Sequence, residues 1–150
     1  MRSFKKQRKY GYEFKTRLEM RVADFLDAND FKWDYEAEEL EYWQKVAGIC
    51  GSCGSDDVYR TRVYLPDFRV ELPEGIIYLE AKGAFTREDR SKHMAIKDSH
   101  PDEDIRFIFQ RDNWITKAHA KKYSGWCEQK GFNYIMMEDL NSEWILKRTP

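Results

Sequence analysis

Residues 64–83, reading YLPDFRVELPEGIIYLEAKG, hold two carboxylates and an amine at a spacing suited to metal-assisted chemistry on a phosphate. Phe68, Val70 and Leu72 alternate with Asp67, Arg69 and Glu71, and Ile77, Leu79 and Ala81 alternate with Tyr78, Glu80 and Lys82. This is the period of two half-buried strands, with Pro73-Glu74-Gly75 as the turn between them. Side chains repeat every second residue along a strand, so Glu80 and Lys82 share a face, and a hairpin register of this length brings Asp67 beside them. Mg2+ is held by one or two carboxylates together with water and substrate phosphate, which makes Asp67 and Glu80 candidate ligands. Lys82 would orient the attacking water and offset charge growing on the phosphate. The competing reading is an exposed hairpin face with ordinary cross-strand ion pairs. Against it stands Pro66, whose missing donor inside a strand pattern is tolerated at an edge or bulge.

The order Pro66-Asp67, then Glu80-Ala81-Lys82, resembles the signature of the PD-(D/E)xK nuclease superfamily. Short motifs match by chance, so the elements that must position these residues carry equal weight.

A chain of 150 residues fits one domain with a real core, and 41% hydrophobic and 15% aromatic residues argue for a packed globule. The net charge of −1 says little, but its distribution says more. Residues 1–15 carry Arg2, Lys5, Lys6, Arg8, Lys9 and Lys15 against Glu13, whereas residues 34–41 carry five acids and no base. A polyanion-binding surface beside a cation-binding one is expected from that asymmetry. Residues 1–15 read as a basic flexible arm that orders on nucleic acid, with Lys5, Lys6, Arg8 and Lys9 as contacts, and residues 16–150 as the folded domain. No apolar run is long enough to span a bilayer and the N-terminus lacks the apolar core of a signal peptide, so a cytoplasmic protein with no membrane partner is expected. Three cysteines, Cys50, Cys53 and Cys127, make no even disulfide framework.

A helix is predicted from Thr16 to about Asn29, with Leu18, Val22, Phe25 and Leu26 on one face. Thr16-x-x-Glu19 is a capping box, which explains Glu19 without any chemistry. Residues 31–36 alternate as a strand with Asp34 on its polar face. Residues 37–62 are the least regular, and ICGSCGSDD reads as a glycine-rich loop or hairpin tip. Cys50-x-x-Cys53 is half of a structural Zn2+ site that only a second subunit or a distant histidine could complete. Thr86 caps a predicted helix running to about Ser99 and stopped by Pro101. Arg90, His93 and Lys97 recur along it at helical spacing, and with Arg87 and Lys92 they are placed to grip phosphates near the carboxylates, although most charged stripes are solvated faces. A buried strand over residues 105–109, a polar substrate-facing segment over 111–122, a helix ended by Gly131, a strand over 132–136 and a terminal helix over 140–146 complete the reading.

With these elements placed, the chain resembles the endonuclease I family of T-odd bacteriophages, the Holliday-junction resolvases of the PD-(D/E)xK superfamily. The resemblance rests on Leu18-Glu19, Lys32-Trp33-Asp34-Tyr35-Glu36, Pro66-Asp67-Phe68, Glu80-Ala81-Lys82-Gly83, Asp89-Arg90-Ser91-Lys92-His93, Ile105-Arg106-Phe107-Ile108-Phe109, residues 123–131 and Glu143-Trp144-Ile145. It implies an α/β, restriction-endonuclease-like core, a central mixed β-sheet flanked by helices, in a domain-swapped homodimer. It also implies that Glu19, Asp34, Asp67, Glu80 and Lys82 are catalytic. Two Mg2+ ions, replaceable by Mn2+, would be held by Asp67, Glu80, the Ala81 carbonyl and Glu19. Asp34 stands where the family has Glu, one methylene longer. Residues 38–61 form a longer bridge than the family's. In the exchanged dimer, Glu19 and Asp34 would act beside Asp67, Glu80 and Lys82 of the other subunit. The implied activity is paired nicking of four-way junctions and other branched DNA, leaving 5′-phosphate and 3′-hydroxyl ends. The alternatives are a duplex- or mismatch-cutting nuclease on the same core and a non-catalytic DNA-binding module, the latter having no need of clustered carboxylates.

Overall fold

The computed structural model describes residues 5–46, 51–54 and 58–147. In chain order the elements are β1 (Gln7–Lys9), β2 (Tyr12–Phe14), α1 (Arg17–Ala28), β3 (Lys32–Tyr35), β4 (Leu40–Val46), β5 (Val58–Tyr64), β6 (Phe68–Leu72), β7 (Gly75–Lys82), α2 (Arg87–Ser99), β8 (Asp104–Phe109), α3 (Tyr123–Lys130), β9 (Asn133–Met136), a 3-10 turn at Met137–Asp139 and α4 (Ser142–Leu146). A five-stranded mixed sheet in the order β3-β6-β7-β8-β9 forms the centre. The pairs β3/β6 and β6/β7 are antiparallel, and β7, β8 and β9 run parallel. The expected central mixed sheet with flanking helices is therefore present.

The helices start where local chemistry says they must. Thr16 and Glu19 satisfy each other's backbone donors at the head of α1, and Thr86 and Asp89 do the same for α2. Gly131 ends α3 at φ 76°, a left-handed conformation that glycine adopts without a Cβ penalty. Successive residues of β8 are buried, as a central parallel strand covered on both faces requires. On one face Leu18, Val22, Ala23 and Leu26 of α1 pack with Val70, Leu79, Ile108 and Ile145. On the other, Phe107 and Phe109 pack with Phe85, Tyr123, Trp126 and Phe132.

Two segments differ from the sequence reading. The supposed flexible arm contains the β1–β2 hairpin, turned at Tyr10-Gly11, and Phe14 is completely buried in the core. Tyr12 and Phe14 pack against Tyr35 and tie the hairpin to β3. Residues 37–62 are largely a two-stranded ribbon, β4–β5, paired from Leu40↔Tyr64 to Val46↔Val58; most of the glycine-rich stretch between its strands lies outside the described residues. Among the described residues no helix is long and apolar enough to cross a membrane.

Candidate active site

β6 and β7 bring Asp67, Glu80 and Lys82 together as their alternation demands. Phe68 pairs with Leu79, which sets Asp67, one residue before β6, beside Glu80. The main-chain N–H of Ala81 donates to Asp67 Oδ2 at 2.9 Å, fixing the carboxylate against the strand that carries Glu80. Lys82 Nζ lies 3.6 Å from Glu80 Oε1 and 3.3 Å from Asp89 Oδ1. Glu80 Oε2 accepts a 2.5 Å hydrogen bond from the Tyr64 hydroxyl.

Glu19 joins from α1. Its Oε2 accepts from the main chain of Lys15 at 2.9 Å, of Thr16 at 3.2 Å and from the Tyr35 hydroxyl at 2.9 Å. Among the described residues Oε1 takes no hydrogen bond, so one oxygen anchors the side chain and the other is spare. The capping box and a place in the site are thus compatible.

The electrostatics follow from burial. Asp67 is held well above the usual carboxylate range, first by burial and then by the charges of Glu80 and Glu19, against which the Ala81 N–H and Lys82 work. Burial also raises Glu80, opposed by Lys82, by the Tyr64 hydrogen bond and by Lys92. For Lys82 burial lowers the value, but Glu80 and Asp89 outweigh it and keep the amine protonated. Buried carboxylates raised by burial, Asp67 further by the charges of Glu80 and Glu19, are a cluster in want of positive charge. Among the described residues no three His, Cys, Asp or Glu groups form a ready-made cage. Two carboxylates and the Ala81 carbonyl still fit Mg2+, which completes its shell with water and phosphate.

Asp34 is not brought into this cluster. It faces Arg69 across the β3/β6 pair, and its Oδ1 accepts from the Tyr12 hydroxyl at 3.2 Å. Glu36 touches the site through its main chain, its N–H donating to the Asp67 carbonyl at 2.9 Å, while its carboxylate pairs with Lys15 at 2.6 Å. Glu36 has φ 47°, a left-handed conformation that is uncommon outside glycine and tends to collect at functional sites.

The expected phosphate contacts divide. Arg87 is exposed, whereas Arg90 is turned back to donate to the Phe85 carbonyl at 2.6 Å. Lys92 sits 5.2 Å over the Tyr64 ring. His93 cannot grip a phosphate, for it is 1% exposed, wedged edge-on against Tyr64 and Phe107. Among the described residues neither of its ring nitrogens has a hydrogen-bond partner. On the hairpin, Lys5 and Arg8 are exposed, Lys6 lies 3.9 Å from Glu13, and Lys9 pairs with Asp24 at 2.7 Å. Cys50 lies outside the described residues, Cys53 is an exposed thiol, and burial pushes the Cys127 thiol up to about 12. Tyr64 and Glu36 escaped the sequence reading because strand alternation gives no signal for residues at element ends. Asp89 was visible as the third residue after a helix-capping threonine, but its pairing to Lys82 was not.

A buried acid pair with an adjoining amine, on neighbouring strands of a mixed sheet flanked by helices, is the class of site expected of a nuclease. The phage endonuclease I family matches residues 1–149, and the chain belongs to that family. Its relatives include endodeoxyribonuclease 1 of Enterobacteria phage T3, 32% identical over 122 residues that span 81% of this chain and 70% of the relative. Endonuclease I of Escherichia phage T7 is 30% identical over 139 residues, covering 92% of this chain and 81% of that protein.

Proposed function

We infer that this chain is a Mg2+-dependent, structure-selective DNA endonuclease that resolves four-way junctions and other branched DNA by paired nicks, leaving 5′-phosphate and 3′-hydroxyl ends. The observation that carries the reading is the convergence of Asp67, Glu80 and Lys82, with Glu19 anchored beside them. Family membership supports DNA as the substrate. A binding module would have no use for carboxylates whose mutual repulsion disfavours the metal-free state.

Asp67, Glu80, the Ala81 carbonyl and the spare oxygen of Glu19 would hold Mg2+, which supplies Lewis-acid stabilisation of the phosphate and a lowered pKa for bound water. The chain's own residues do the positioning. Ala81 N–H and the Tyr64 hydroxyl fix one oxygen of Asp67 and of Glu80, and the second oxygen of Glu80 lies 3.6 Å from Lys82. Lys82, kept charged by Glu80 and Asp89, orients the attacking water and balances charge on the phosphate. Because Asp67 and Glu80 are raised, cation binding is linked to proton release and strengthens as pH rises.

Cleavage of an end-labelled four-way junction against matched linear duplex, with and without Mg2+, tests the reading. Preferential, Mg2+-dependent cutting of the junction is expected. Equal cutting of linear duplex would indicate the duplex-cutting nuclease instead, and no cutting of either would overturn the endonuclease.

The proposal includes a homodimer with α1 and β3 exchanged between subunits. In a single chain these elements already pack on β6 and β7, so exchange would rebuild the same contacts between chains. Co-refolded Glu19→Gln and Lys82→Ala chains decide the matter. An exchanged heterodimer has one doubly damaged and one intact site and nicks one strand of a cruciform, whereas without exchange every site carries a lesion and the mixture stays inactive.

A further inference from the structure

We propose that the β4–β5 ribbon and α2 form a groove that takes the sugar-phosphate backbone of a double-stranded DNA arm and leads it to Glu80 and Lys82. The proposal rests on the endonuclease reading and assigns a role to the segment that departs most from the family pattern.

Strand β4 of the ribbon is fixed to α2 and its C-terminal cap. The Trp43 N–H donates to Ser99 Oγ at 3.1 Å, His100 Nε2 lies 2.5 Å from the Glu41 carbonyl, and Gln44 Nε2 reaches Ser91 Oγ at 3.5 Å. Between them runs a groove of about 920 Å³ whose walls include Arg62 from β5 and Arg87 and Lys92 from α2. Tyr42 pairs with Arg62 and Gln44 with Arg60, so Arg60 continues the same ribbon face toward the tip. Arg60, Arg62 and Arg87 are exposed, and none of the three is in an ion pair with a described residue. Glu88 and Asp89 also line the groove, but Asp89 is engaged by Lys82.

The inner end of this track is the candidate active site. Lys92 lies over the Tyr64 ring, and Tyr64, the last residue of β5, donates to Glu80. A row of guanidinium groups with no ion pair to a described residue, ending at buried carboxylates and an amine, matches a chain of phosphates ending at one to be cut. Arginine also suits this because its planar fork binds phosphate oxygens bidentately. Such contacts are sequence-independent, as recognition of branched DNA by shape requires.

The test is fluorescence-anisotropy titration of a labelled linear duplex in EDTA over a series of KCl concentrations, with wild type, Arg60→Glu/Arg62→Glu and Lys130→Glu. Each phosphate contact contributes about 0.9 to the log-log salt slope, so the double variant should lose about 2 from the slope and bind about 100-fold more weakly, with Lys130→Glu unchanged. Thermal midpoints check folding, and Arg60→Gln/Arg62→Gln, expected to show the same slope loss, replaces the reversal if that variant is unfolded. Wild-type slope in the ribbon variants, or an equal loss in Lys130→Glu, overturns the groove even where wild type cuts DNA. Wild type that neither binds nor cuts DNA overturns the endonuclease reading and the groove together.

Discussion

Charge is buried at two places in the central sheet, and the two are built oppositely. Arg106, on β8, is completely buried and makes five hydrogen bonds. Asp104 receives two of them, and the main-chain carbonyls of Trp144, Ile145 and Lys147 the rest, so the guanidinium ties the end of α4 to the sheet. At the other place Asp67 and Glu80 are buried where β6 and β7 meet, both raised by burial and Asp67 also by Glu80 and Glu19, and His93 of α2 is buried among described residues that give its ring nitrogens no partner. A buried charge that only stabilises a fold is satisfied by its own chain. One left short of partners costs stability in the free protein and is the kind retained where a ligand completes it.

The largest effects should come from the unsatisfied end. Asp67→Asn or Glu80→Gln is expected to lower cleavage by about 10³-fold or more while leaving DNA binding intact, and Lys82→Ala should act similarly with the cation still bound. The comparison sharpens if Asp67→Asn also raises the thermal midpoint of the metal-free protein. The sign follows from linkage: a carboxyl raised in the fold costs stability as pH climbs above the ordinary aspartate value, and asparagine removes that cost while still accepting from Ala81. A lower midpoint in EDTA, or wild-type turnover, would break the contrast. At the satisfied end Arg106→Met should do the reverse, costing about 3 kcal/mol of stability by removing the guanidinium from Asp104 and from three main-chain carbonyls. Denaturant unfolding measures it, and a loss below about 1 kcal/mol would mean the network is dispensable.

This contrast marks where the sequence was legible. Period-two alternation located β6, β7 and the faces of Asp67, Glu80 and Lys82, and capping threonines located α1 and α2, because these patterns act over a few residues. The β4–β5 ribbon was not legible as strands, since its outer face mixes Trp43, Tyr59 and Val63 with charges and so breaks the polar alternation. Arg106 sat in a strand pattern with nothing nearby to reveal its distant carbonyl partners. His93 fell on a charged helical stripe, and only the packing of α2 against Tyr64 and Phe107 turns it inward.

His93 supplies a smaller, pH-dependent effect. Burial first, then the charges of Lys82 and Lys92, lower it to about 3. A histidine depressed in the fold leaves stability intact above its unfolded value near 6.5 and removes it as pH falls toward the folded one. Between pH 6.5 and 5 this amounts to about 2 kcal/mol. His93→Leu, of similar volume, should abolish that part of the acid-side loss without introducing a new buried donor. Parallel denaturation curves at the two pH values measure the difference, and identical pH dependence in variant and wild type would place His93 outside the strained end.

The smallest effect is expected at Asp34. The family resemblance makes it an active-site acid, yet its carboxylate is bonded to the Tyr12 hydroxyl and faces Arg69, one strand away from the Asp67–Glu80 pair. A group held there touches neither the attacking water nor the scissile phosphate in this arrangement, so Asp34→Asn should lower cleavage by less than about tenfold. Asparagine keeps an acceptor for Tyr12, so stability should hardly change. Glu36→Gln is the matched control: it removes the charge that holds Lys15, whose main-chain N–H in turn anchors Glu19, so it should cost more than Asp34→Asn. Single-turnover cleavage of a junction by both variants gives the order directly. If Asp34→Asn is the more damaging and falls to the level of Asp67→Asn, the DNA-bound protein must draw β3 into the site. The unsatisfied end would then include an acid that the free chain keeps apart.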